Sequence, residues 1–267
     1  MTADCPVVCC DLDGVIWRGE EPIAGSAEAV ATLRDAGFRV GFVSNNSNQP
    51  VDEVVEKLSS AGVPASPDDV ITSALAAAAL LAASLEPGAP VLACAGPGVV
   101  EALTEVGLRV VDRPPAKAVV VGFHRGFDFD ELDRASTAVR DGARFVATNL
   151  DATYPMPGGM LPGSGAITAA VATASGRTPE VAGKPEAPTV ALVRERLGAS
   201  GVVVGDRPSS DGALAAALGW PFALVLSGVT GRTAPPGGEA VPDPEPPFVA
   251  DDLAALAPLL VATAPRS

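Results

Sequence analysis

At 267 residues the chain has the length of roughly two domains. Its 48% hydrophobic and 19% charged residues mark it as globular rather than disordered. A net charge of −14 disfavours nucleic acid, which needs basic patches, and disfavours anionic membrane surfaces. Small anionic substrates stay open, because one lysine, a metal ion or backbone N–H groups can supply local positive charge.

The elements follow in chain order. Val7–Cys10 is an apolar run ending in Asp11-Leu12-Asp13-Gly14. Ser26–Ala36 has helical spacing, with Gly37 as its stop. Phe38–Val43 reads as a strand ending in Ser44-Asn45-Asn46-Ser47, and Val51–Ala61 as a helix closed by Gly62. Ala74–Ala83 is the longest apolar run; it is too short to span a bilayer and reads as a buried helix. Strands at Pro90–Ala95, Ala118–Gly122 and Phe145–Thr148 alternate with helices at Val99–Val106, Phe129–Asp141 and Ala166–Ser175. Gly183-Lys184-Pro185 precedes the helical pattern Val190, Val193, Leu197, with Pro185 assigned to the first turn. Val202–Val204 is a strand leading into Gly205-Asp206; Asp211–Leu218 is a helix and Phe222–Leu226 the next strand. From Arg232 to Phe248 the chain carries six prolines and reads as an irregular surface loop. The alternation predicts an α/β fold, a parallel sheet covered by helices on both faces. The block 80–180 is expected as an insertion between core segments 1–79 and 181–267.

Some chemistries lack their anchors. Cys5, Cys9, Cys10 and Cys94 contain no CxxC pair, so no zinc ribbon or thioredoxin-like site is written. Cys9 and Cys10 are adjacent in a strand and must face opposite sides. Buried, reduced thiols are expected, in a cytoplasmic protein. The N-terminus has no basic region followed by a long apolar stretch, so no secretory leader is expected. With His124 as the single histidine, HExxH zinc chemistry is excluded, and P-loop and GxGxxG motifs are absent. His124 is expected at the surface or a hinge.

The polar clusters all fall just after strands, where open α/β sheets bind ligands. Asp11, Asp13, Ser44, Asn45, Asn46 and Asp206 are therefore expected to converge. Two carboxylates at a strand end are costly to bury without a cation, and oxygen ligands suit Mg²⁺. One carboxylate could attack phosphorus while the other serves as acid and base; an Asp-Gly turn is the plain alternative. Ser44, Asn45 and Asn46 could bind phosphate oxygens or simply cap a helix. Lys184 could neutralise phosphate or sit solvated at the surface. Asp206 could complete a metal site, and Asp211 could instead cap the next helix.

In this order, Asp-x-Asp-Gly, Ser-Asn-Asn, Gly-Lys-Pro and Gly-Asp-x-x-x-x-Asp resemble the four motifs of the haloacid dehalogenase superfamily. The insertion between the second and third motifs resembles its class IIA branch of NagD-like and p-nitrophenyl-phosphatase-like proteins. Gly14-Val15-Ile16-Trp17, Thr148–Pro155, Pro162–Ala166 and Ser227–Gly231 also look like family segments. The resemblance implies a Rossmann-like core with an inserted α/β cap of the C2 type, and a Mg²⁺-dependent phosphomonoester hydrolase. Asp11 is the implied nucleophile, forming an aspartyl-phosphate, and Asp13 the implied acid and base. Ser44, Asn45 and Asn46 would hold the phosphoryl group, and Lys184 would steady it. Mg²⁺ would be held by Asp11, the Asp13 backbone carbonyl and Asp206, with Asp211 supporting them from behind. Asn149, Asp151 and Tyr154, in the cap loop, would meet a small phosphate ester; turn bonding and packing are equally open for them. Ser209 departs from the family's fourth motif, where an aspartate is common. A phosphotransferase, or a silent binding protein using the same pocket, is the alternative. Oligomeric state is not written in the sequence; pairing through the cap is an analogy from such folds.

Overall fold

The computed structural model describes residues 6–156, 159–235 and 237–263. Two parallel sheets organise it. The first six-stranded sheet takes β1 (Val7–Cys10), β2 (Arg39–Ser44) and β3 (Val70–Thr72) from the N-terminal part. Helices α1 (Ser26–Asp35) and α2 (Val51–Ser60) connect them, and α3 (Ser73–Ala82) leaves β3 for the second sheet. There the chain adds β4 (Pro90–Cys94), α4 (Pro97–Glu105), β5 (Arg109–Val111), β6 (Ala118–Val121), α5 (Phe129–Arg140) and β7 (Arg144–Ala147). An antiparallel hairpin, β8 (Thr153–Met156) with β9 (Gly159–Pro162), is followed by α6 (Ser164–Ser175) and β10 (Glu180–Val181). The chain then returns to the first sheet through α7 (Ala187–Arg196), β11 (Gly201–Gly205), α8 (Ala213–Leu218), β12 (Phe222–Val225), β13 (Phe248–Ala250) and α9 (Leu253–Thr263).

The first sheet has the order β13-β12-β11-β1-β2-β3, and the second β10-β7-β6-β4-β5. All pairings within both are parallel. From β1 the N-terminal strands run out to one side, and β11, β12 and β13 to the other. The order reverses between β1 and β11, which opens a crevice at their carboxyl ends.

Side-chain alternation divides the core in two. Val7, Cys9 and Val203 join one apolar cluster, while Val8, Cys10, Val202 and Val204 join the other. The expected opposite orientation of Cys9 and Cys10 is observed; both are buried and free, as is Cys94, and Cys5 lies outside the described residues. The first cluster continues through α3 and α4 onto Val91, Ala118, Val120 and Val146 of the second sheet. The two sheets thus share one apolar seam, with α3 inside it. Gly37 and Gly62 follow their helices at φ 87° and 80°, the left-handed stops expected of them.

Several expectations need correction. Pro185 is not in the first turn of α7: Glu186 is the N-cap and donates its N–H to the Gly183 carbonyl, and Pro188 occupies the first turn instead. Asp211 does not open a regular helix; it lies in a π-helical turn, Pro208–Gly212, ahead of α8. His124, expected at the surface or a hinge, is half-buried: its ring contacts the Glu131 carboxylate at 2.7 Å and the Gly122 carbonyl at 3.2 Å. The proline-rich stretch is largely irregular, but Glu239–Ala240 pairs with Thr230–Gly231. No helix among the described residues is long and apolar enough to cross a membrane.

Candidate active site

β1 delivers Asp11 to the crevice. The Asp11 N–H donates to the Val204 carbonyl at 2.8 Å, extending the ladder by one residue before the chain turns. The turn needs Gly14, whose φ is +88°; an added Cβ would also collide with the Asp206 carboxylate. β11 delivers Asp206 from the other side of the crevice. Its Oδ2 accepts the Val229 N–H at 2.6 Å, so the loop after β12 fixes it.

Lys184 lies at the centre, 6% exposed. Its ammonium donates to Asp11 Oδ1 at 2.5 Å, Asp211 Oδ1 at 2.7 Å and the Val43 carbonyl at 3.0 Å. All three of its protons are therefore committed. Burial works to lower its pKa, but the Asp11 and Asp211 carboxylates outweigh this and raise it, so the lysine is charged. Asp211 uses its other oxygen to accept the Arg207 N–H at 3.0 Å. The π-helical turn places that carboxylate back over its own backbone and against Lys184.

Carboxylate oxygens of Asp11, Asp206 and Asp211 lie within 4.8 Å of one another, all three buried. One lysine against three carboxylates leaves an excess of negative charge. Burial and the Asp211 charge push the Asp206 carboxyl up to about 7, and burial raises Asp11 despite Lys184. Clustered hard oxygens, short of positive charge, fit a small divalent cation.

The remaining predicted residues gather around this centre. Ser44 Oγ accepts the Asn46 N–H at 3.0 Å, folding the loop after β2 into a tight turn. Asn45 joins segments far apart in sequence. Its Oδ1 accepts the Lys184 N–H at 2.8 Å, and its Nδ2 donates to Asp151 Oδ2 at 3.2 Å. Its carbonyl accepts from Asn149 Nδ2 at 2.6 Å and from Ser73 Oγ at 2.7 Å. Asn149 Oδ1 accepts the Asp151 N–H at 3.0 Å, so both ends of that amide are occupied. Asn149 thus fastens the loop after β7 to the loop after β2. Asp13 Oδ1 accepts from Trp17 Nε1 at 3.1 Å and Tyr154 Oη at 3.2 Å. Burial raises the Asp13 pKa, against the opposing Lys57 charge and these two hydrogen bonds.

These residues line a cavity of about 60 Å³. Asp11, Asp13, Ser44, Asn45, Asn46, Asn149, Asp151, Tyr154, Lys184 and Asp206 all reach its wall; Asp211 stands behind. Phe123, Arg207 and Ser210 also line it, and sequence reasoning did not single them out. Arg207 and Ser210 were legible as part of the strand-end cluster; Phe123 had no local signal. Ser209 points elsewhere. Its N–H and hydroxyl both donate to the Glu239 carboxylate, tying the fourth motif to the proline-rich loop.

Family models of haloacid dehalogenase-like hydrolases match residues 8–109 and 181–256. The D-glycerol 3-phosphate phosphatase of Mycobacterium tuberculosis is 40% identical over 260 residues, covering 95% of this chain and 70% of the relative. The chain belongs to the haloacid dehalogenase-like hydrolases. It is a phosphatase of that family. Among solved haloacid dehalogenase-like structures, glycerol phosphate phosphatase from M. tuberculosis in complex with magnesium superposes with a TM-score of 0.83 at 36% identity. That match covers 97% of this chain and 80% of the other. The p-nitrophenyl phosphatase from Archaeoglobus fulgidus gives a TM-score of 0.85 at 32% identity, covering 98% and 100%.

Proposed function

We propose that this phosphatase hydrolyses small phosphate monoesters of hydroxylated alcohols, with Mg²⁺, through an aspartyl-phosphate on Asp11. The observation that carries the reading is the Asp11–Lys184–Asp211 chain of ion pairs at the crevice, with Asp206 beside it and Asp13 two residues on. Asp11, Asp206 and the Asp13 backbone carbonyl would hold the Mg²⁺, which supplies charge to neutralise the phosphoryl oxygens.

The residues themselves divide the work. Lys184 holds Asp11 Oδ1, which fixes the carboxylate and leaves its other oxygen for in-line attack on phosphorus. As the P–O bond to the alcohol breaks, Asp13 gives its proton to the leaving oxygen. Asp13 is then a carboxylate and takes a proton from water, whose oxygen attacks the aspartyl-phosphate. Phosphate leaves, and Asp11 and protonated Asp13 are restored. Ser44 and Asn46 flank the phosphoryl position, while Asn45 keeps the loop and Lys184 in register.

Cavity size and lining favour small esters. About 60 Å³ holds roughly five water-sized spheres at 10–15 Å³ each. A phosphoryl group with a short polyol suits that scale. Asp151, Thr153 and Ser210 offer hydroxyl-directed partners in the wall. The relative that acts on D-glycerol 3-phosphate supports the same class.

Phosphate release from a panel of monoesters, with Mg²⁺ and with EDTA, tests the reading. Glycerol phosphates should exceed nucleoside monophosphates, and EDTA and Asp11→Asn should each abolish release. Turnover that survives in Asp11→Asn, or that ignores EDTA, would overturn it.

A further inference from the structure

Asp13 is held from two directions by a single oxygen. Trp17 Nε1, four residues along the same turn, donates to Oδ1 at 3.1 Å. Tyr154 Oη, from the hairpin that follows the second sheet, donates to the same atom at 3.2 Å. The two donors are 137 positions apart in a chain whose sheets interrupt one another. A phenol has one proton, so this bond commits it.

Tyr154 is itself anchored. Its ring stacks on Phe123, with centroids 5.4 Å apart and planes 21° from parallel. Phe123 follows β6, and its neighbour His124 bonds to the Gly122 carbonyl and the Glu131 carboxylate. The hydroxyl therefore reports where the second sheet sits relative to β1. One donor on Oδ1 leaves a carboxyl free to swing about that contact. Two donors from different directions fix its plane, and Oδ2 becomes the oxygen directed at the substrate.

We propose that Tyr154 is a positioning residue for the Asp13 acid: its hydroxyl, held by the stack on Phe123, completes the alignment that Trp17 begins. Proton delivery to the leaving oxygen thereby depends on a residue of the hairpin, and Tyr154 need not touch the substrate. This rests on the phosphatase reading above. A leaving group that departs readily as an anion needs little help from an acid, whereas a poor one depends on it. Loss of alignment is therefore graded by the leaving group.

The test compares Tyr154→Phe with the wild type on substituted phenyl phosphates, from p-nitrophenyl phosphate to phenyl phosphate, at saturating Mg²⁺. The substitution keeps the ring and its stacking. kcat/KM reports the steps up to departure of the phenol. The expected loss grows along the series, from about threefold on p-nitrophenyl phosphate to about thirtyfold on phenyl phosphate, so the leaving-group slope steepens. A loss of one size across the series would assign Tyr154 a merely structural role and overturn the proposal. A raised KM at unchanged kcat would assign it to substrate binding and overturn it equally. Wild-type protein that releases phosphate from none of the esters would instead overturn the phosphatase reading, and this proposal with it.

Discussion

Replacing Lys184 with Met removes the one ammonium among three buried carboxylates while keeping most of its apolar stem. Three donated hydrogen bonds go with it, to Asp11, Asp211 and Val43. Breaking a buried ion pair from one side costs about 3–5 kcal/mol, because the partner charge stays behind. At about 2–4 °C per kcal/mol for a chain near this size, the melting midpoint should fall by roughly 6–20 °C in EDTA. Adding Asp211→Asn removes the stranded charge as well. The double variant should then be more stable than the two single losses summed would allow, by about 1–3 kcal/mol. Denaturant titration of the four proteins in EDTA gives this coupling directly. Additivity within about 0.5 kcal/mol would refute the account, since contacting buried charges must couple. Mg²⁺ should also raise the midpoint of Lys184→Met more than that of the wild type, as the cation takes over part of the missing charge.

Further outcomes follow from the same site. The Asp206 carboxyl, pushed up to about 7, titrates above its unfolded value of about 4. The metal-free native state then binds more protons than the unfolded chain between those values, so this group makes stability fall as pH rises from about 4 to 7. Mg²⁺ competes with that proton; its stabilising shift in melting midpoint should be larger at pH 8 than at pH 5.5, and an equal shift would contradict the assignment of Asp206 as a ligand. Gly228→Ala would drive a Cβ into the Asp206 carboxylate; calorimetry should show at least about tenfold weaker Mg²⁺ binding. Cys9, Cys10 and Cys94 are buried, and burial pushes the Cys9 thiol up to about 12. Peptide mapping should find all three unalkylated by iodoacetamide in the folded protein and modified after denaturation.

Much of the scaffold was legible because parallel strands buried on both faces write themselves as continuous Val-rich runs. β1, β2, β6 and β11 are of this kind. Val70–Thr72, Arg109–Val111 and Glu180–Val181 are too short to carry a period, and they sit near or at sheet edges. Leu253–Thr263 escaped notice because it is apolar nearly all round and contains Pro258. At the site, residue types and strand ends pointed to Asp11, Lys184 and Asp206. The sequence could not show that Asn45 and Asn149 spend their amides tying loops together, because those partners lie 104 positions apart. Nor could it pair Tyr154 with Asp13 or Phe123. Such contacts depend on how two sheets meet, and no local pattern encodes that.

The place of β1 in its sheet also bears on how the chain is made. One neighbour, β2, ends at Ser44 and is available almost at once. The other, β11, begins at Gly201. At about 5–20 residues per second, a ribosome needs roughly 8–30 s to add the intervening segment. Throughout that interval one edge of the central strand has no partner, while the strands of the second sheet, Pro90 to Val181, emerge one after another. An exposed, Val-rich parallel edge invites pairing with other chains. The nascent protein should therefore be most aggregation-prone late in synthesis, just before β11 closes the sheet, and should depend most on chaperones in that window.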